Sequence, residues 1–149
     1  MGIVDQVQKD LTAAMKAREE LKLSVLRMMK AALKNKQVEL GKALDEAQAI
    51  AVLRTLVNQR QDSVEQFRKG GRDDLADKEA AEIKIVESYL PAAASDEEID
   101  AAVTAAIAET GATGPKDLGK DMKAAMARLA GKNADGKRVN EKVRAKLGA

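Results

Sequence analysis

Apolar residues recur at helical spacing along almost the whole chain. Ile3, Val4, Val7, Leu11, Ala14 and Met15 form one stripe and predict a helix over residues 3–18. Leu21, Val25, Met28, Met29 and Ala32, widened by Leu23, Leu26 and Leu33, predict a second over 20–40, with Gly41 as its stop. Asp45 opens a third, and Gln48 three residues on completes a capping box. That helix can run to Lys69, about 25 residues or ~37 Å. Its first half carries Ile50, Leu53 and Val57 and is expected to pack. Its second half, NQRQDSVEQFRK, is polar and is expected to project or to be covered on one side only. Gly70-Gly71 ends it, because glycine takes the left-handed cap conformation without steric cost. A fourth helix opens near Asp73, whose carboxylate suits the free N–H groups and the positive end of the helix dipole. It lines up Ala76, Ala80, Ile83, Val86 and Leu90, and Pro91 ends it.

PAAAS, residues 91–95, reads as a linker. Beyond it, Ser95 with Glu98 forms a capping box for a fifth helix that reaches about Thr110, with Ile99, Ala102, Val103, Ala106 and Ile107 on its buried face. Gly111 closes that helix, and Thr113 or Gly114 with Pro115 opens a sixth over 116–130. Leu118, Met122, Ala125, Met126 and Leu129 form its stripe. Asp135 caps a seventh, whose apolar face is Val139, Val143 and Leu147. The chain is therefore expected to be all-α, a four-helix bundle-like unit over 1–92 followed by a small three-helix basic tail over 93–149. A unit of the latter size is marginal alone. Met28, Met29, Met122 and Met126 read as core. The ring of Tyr89 is expected to pack against the linker with its hydroxyl turned outward.

Composition narrows what such a fold can do. Of 149 residues none is His and none is Cys. The usual general base near neutral pH and the usual soft nucleophile are both missing, and a zinc site loses its main donors. No catalytic residue, metal or cofactor is expected. The paired acids Glu19-Glu20, Asp73-Asp74 and Glu97-Glu98 fall at helix starts, where they stabilise free N–H groups. GPKDLGK at 114–120 superficially resembles a phosphate loop, but Asp121 follows Lys120 and Pro115 removes a donor, so it reads as a helix cap. No apolar run approaches the ~18 residues of a membrane span, and the first residues lack a signal-peptide pattern. A cytoplasmic location is the resulting expectation.

Charge supplies the one positive lead. Residues 114–149 hold ten basic and four acidic side chains, while the rest of the chain holds sixteen and twenty. The candidate polyanion contacts are Lys116, Lys120, Lys123, Arg128, Lys132, Lys137, Arg138 and Lys142, since contacts from such residues to phosphates supply affinity without reading sequence. A lysine-rich solvated helix face is the plain alternative. The only aromatic residues are Phe67 and Tyr89, so this chain is poorly equipped to stack splayed single-stranded bases, and shape and backbone are what its surface can read.

Three segments carry a family resemblance. RKGGRDDLADKEAAEIKIVESYLP resembles the stretch of YqeY-like proteins in which a Gly-Arg-Asp-Leu-type turn opens a helix ending Tyr-Leu-Pro. LKLSVLRMMKAALKNKQVEL resembles their second helix, and DLGKDMKAAMARLAGKNADGKRVNEKVRAKL resembles their C-terminal unit. One departure is Asn133, interposed where the family turn is commonly Gly-basic-Ala-Asp. The resemblance implies a four-helix plus three-helix architecture. It also implies kinship with the C-terminal helical and tail domains of the B subunit of the glutamine-dependent tRNA amidotransferase, domains that recognise the tRNA body. From it follow three expectations. The first is a non-catalytic module binding tRNA or another structured RNA. The second is a module docking on an amidotransferase or synthetase subunit. The third is a carbon–nitrogen ligase activity with glutamine as amido donor, inherited from the relatives.

Overall fold

The structure, a computed structural model, describes residues 2–148, and among them it is all-α with seven helices and no strand. They are α1 (Ile3–Ala17), α2 (Glu20–Leu40), α3 (Glu46–Lys69), α4 (Asp73–Glu87), α5 (Asp96–Thr110), α6 (Leu118–Arg128) and α7 (Gly136–Leu147). They fall into two compact units, Met1–Pro91 and Ala92–Ala149.

The first unit is two helical hairpins around one aliphatic core. Its buried set is drawn mostly from the predicted stripes: Ile3, Val7, Leu11 and Ala14 from α1, Val25, Leu26, Met29 and Leu33 from α2, Ala49, Ile50, Leu53 and Val57 from α3, and Ile83 and Val86 from α4, whereas Met15 and Leu21, at the stripe ends beside the α1–α2 turn, are exposed. The capping box at the start of α3 is formed, with the Gln48 N–H donating to Asp45 Oδ1 at 2.8 Å and the Asp45 N–H to Gln48 Oε1 at 3.0 Å. The α3–α4 turn uses its second glycine in the left-handed region (Gly71, φ 75°), and the Arg72 N–H closes back onto Phe67 O at 2.8 Å. The polar half of α3 is covered on one side only: Ser63, Val64 and Phe67 are half-buried, while Gln61, Asp62, Glu65 and Gln66 stay exposed. Arg60 joins α3 to α4 at Glu79 Oε2 (3.0 Å) and Glu82 Oε2 (3.5 Å), and Glu82 is buried.

Helix α4 stops at Glu87, about a turn before Pro91, because the residue preceding a proline is pushed out of the helical region. The hydroxyl of Tyr89 does not turn outward as expected. It donates to Asp10 of α1, 79 residues away, and Gln6 Nε2 donates to the other Asp10 oxygen at 2.8 Å. The Tyr89 bond holds the Asp10 carboxyl below the usual carboxylate range, while burial and then Asp10 push the Tyr89 hydroxyl above the usual tyrosine range. A lowered acid stabilises the fold above its unfolded pKa and stops doing so as pH falls. A raised tyrosine stabilises it below its unfolded pKa and stops doing so as pH rises. The contribution is therefore level between about pH 5 and pH 9, and fades below about 4 and above about 10. Tyr89→Phe should cost about 1 kcal/mol on that plateau, discounted for its partial exposure, with little difference from wild type in strong acid. Urea titrations across pH check this.

The second unit packs α5, α6 and α7 around Ile99, Val103, Ala106, Ala125, Leu129, Val139 and Val143. Ser95 and Glu98 form their capping box, and Gly111 closes α5 at φ 68°. The sixth helix is shorter than its pattern predicts: Pro115–Asp117 is a 3-10 turn, and the α-helix runs only from Leu118 to Arg128. Met126 is partly exposed rather than core. Asn133, the departure from the family turn, is buried, and its backbone carbonyl accepts the Ala94 N–H at 2.8 Å in an isolated bridge that ties loop 131–136 to the end of the linker.

Candidate nucleic-acid interface

The charge picture changes once the second unit is taken whole. The excess of cations after residue 114 disregards the five acids between Ala92 and Glu109. Counted by unit, the first holds sixteen basic and fifteen acidic side chains and the second ten and nine, so each carries only +1.

Four of those acids, all on α5, meet cations of the tail. Asp96 and Asp100 lie one helical turn apart, as do Arg138 and Lys142 on α7, and the two pairs meet in parallel register. Arg138 Nη2 donates to Asp96 Oδ2 at 2.7 Å, and Lys142 Nζ lies 3.0 Å from Asp100 Oδ1. Lys132 reaches Glu98 Oε2 at 2.8 Å, and that bond is the main reason the Glu98 carboxyl sits below its usual range. Arg128 Nη2 meets Glu109 Oε2 at 3.0 Å. Four of the eight cations picked out by sequence are thus each committed to a carboxylate of α5.

A different set stays turned to solvent. Lys120 and Lys123 lie on one exposed face of α6, and Lys116 in the 3-10 turn extends that face by one turn. The stripe spans about 11 Å. The two carboxylates next to it in sequence point elsewhere: Asp117 Oδ2 accepts the Thr113 N–H at 3.1 Å, and Asp121 is fully buried. Lys137 is exposed at the start of α7, where its backbone N–H donates to the capping Asp135.

Asp121 escaped the sequence reading. Its Oδ1 accepts the Thr110 hydroxyl at 2.8 Å, tying α6 to the end of α5. The signal was available, since Asp121 stands four residues before Ala125 and so shares the buried face. Among the described residues no three or more Asp and Glu gather where they could hold a metal ion, and no helix is long and apolar enough to cross a membrane.

Comparison with known proteins gives a consistent picture. A family model described as "Yqey-like protein" matches residues 4–147. The relatives include "Altered inheritance of mitochondria protein 41, mitochondrial" of Lachancea thermotolerans, 38% identical over 121 residues, covering 79% of this chain and 65% of that protein. The protein of the same description from Kluyveromyces lactis is 41% identical over 108 residues, covering 68% and 58%. That from Vanderwaltozyma polyspora is 38% identical over 100 residues, covering 65% and 54%. The chain thus spans between half and two thirds of the length of these relatives.

Proposed function

The chain belongs to the YqeY-like family, and from that premise we propose that it is a non-catalytic helical module that binds structured RNA, tRNA foremost, through Lys116, Lys120 and Lys123. The observation that carries this reading is the lysine stripe along the 3-10 turn and α6, exposed and, among the described residues, unmatched by acid in a unit whose other cations are largely paired. Three lysines on a helix neutralise phosphates without reading bases. The expected affinity is that of non-specific contacts, about 10⁻⁴–10⁻⁶ M near physiological salt. A cytoplasmic site of action belongs to the same proposal, as does the absence of amide-transfer activity in the purified chain.

Two alanine sets test it in gel-shift or filter-binding assays with tRNA. Lys116→Ala, Lys120→Ala and Lys123→Ala together should weaken binding at low salt by at least about tenfold. Arg128→Ala, Lys132→Ala, Arg138→Ala and Lys142→Ala together should leave binding within about threefold of wild type, because those cations are occupied. Equal losses from both sets, or no binding by wild type at low salt, would remove the proposal.

One observation favours a protein partner as a second reading. Leu40, 37% exposed, lines a groove between α2 and α3 with Ala32, Val52 and Leu56. An amidotransferase or synthetase subunit that co-purifies from RNase-treated lysate and is lost on Leu40→Glu would favour this docking reading.

A further inference from the structure

A cleft of about 710 Å³ opens in the first unit between α1 and the end of α4. Its size is that of small-molecule sites, roughly 300–1,000 Å³. The two helices do not pack on each other, and the Tyr89–Asp10 bond spans the space. Ile3, Ile85 and the Tyr89 ring give the cleft an apolar wall.

The polar groups around it divide sharply by whether they are already used. The two carboxylates are occupied. Asp10 takes Tyr89 on one oxygen and Gln6 on the other. Glu46 takes the Ile3 N–H on both of its oxygens, at 3.3 and 3.2 Å, and so covers the start of α1. The cationic donors are not. Among the described residues Lys84 has no carboxylate within salt-bridge distance, and Lys22 reaches Glu19 only at 4.0 Å. Lys22 does act on Asp10 through space, but Asp10 is directed at other donors. With Asp10 held ionised and Tyr89 held protonated, this division persists across the physiological range.

We infer that the cleft is a binding site for a small anion, its carboxylate or phosphate head held by Lys22 and Lys84 and a short apolar body resting on Ile3, Ile85 and Tyr89. The site lies wholly within the first unit and is independent of RNA binding through the second.

The test titrates the full chain with hexanoate, with inorganic phosphate, and with hexanol as an uncharged control. Tyr89 is the reporter, through its fluorescence and its ring resonances, since it is the only tyrosine and there is no tryptophan. The site predicts saturable changes with at least one anion and none with hexanol; which anion binds assigns the head group. Lys84→Met keeps the stem and removes the charge, and should weaken binding about tenfold with the fold intact by circular dichroism. Lys22→Met serves as a second, independent variant. The inference is overturned if neither anion gives saturation up to tens of millimolar, if hexanol binds as well as hexanoate, or if both lysine variants bind like wild type.

Discussion

Asp96→Asn, Glu98→Gln, Asp100→Asn and Glu109→Gln, made together, should raise the affinity of the chain for tRNA at low salt by about tenfold or more. Each of these carboxylates occupies one cation: Arg138, Lys132, Lys142 and Arg128 in turn. Removing the four negative charges takes the second unit from +1 to +5 and frees four phosphate contacts at once. The replacements are isosteric, and Gln at position 98 still completes the capping box. The core of Ile99, Val103, Val139 and Val143 is untouched, so the unit stays folded. A gain of function is informative here, because loss of binding in a charge variant can always reflect damage. Binding assays alongside circular dichroism measure it, and an unchanged affinity would mean that the α5 acids do not mask an RNA-binding face.

Leu53→Ala should be the most destabilising single truncation in the first unit. Leu53 is fully buried midway along the packed half of α3, among residues of α1, α2 and α4. Removing a leucine side chain from such a site costs about 2–5 kcal/mol, from lost burial and the cavity left behind. A unit of this size holds on the order of 5–10 kcal/mol in total, so the variant is left marginal. The measurement is direct, because both aromatic residues, Phe67 and Tyr89, lie in the first unit. Tyrosine fluorescence in urea therefore follows that unit alone, while far-ultraviolet circular dichroism follows all seven helices. The expected result is a tyrosine transition moved to lower urea ahead of a second helical transition. A shift worth under about 1 kcal/mol would contradict the packing described.

What the sequence disclosed divides along the range of the interactions. The capping boxes at Asp45 and Ser95, the glycine stops at Gly41 and Gly111, and the middles of the apolar stripes were all legible, because each is decided within four residues; Met15 and Leu21, at stripe ends beside a turn, are exposed. The Asp10–Tyr89 bond was not, since nothing local tells a tyrosine hydroxyl to find a carboxylate on α1. The pairing of the tail cations with α5 was hidden for the same reason. A count begun at residue 114 cannot include acids placed earlier in the chain, and only the parallel register of α5 and α7 sets Asp96 against Arg138 and Asp100 against Lys142. Lys116, Lys120 and Lys123 could be picked out by spacing, because they share one helix face. That Arg128, Lys132, Arg138 and Lys142 are occupied required the tertiary structure. Met126 shows a related limit, as a residue whose spacing fits the apolar stripe but which sits at its solvent edge.

The most direct measurement is the dependence of tRNA affinity on salt, taken for wild type and for the chain with Lys116, Lys120 and Lys123 changed to alanine. If those three side chains are what the phosphates meet, log K should fall against log[salt] with a slope of about −2 to −3 in wild type and lie close to zero in the variant. A flat wild-type line, or a slope that survives the three substitutions, would contradict the account.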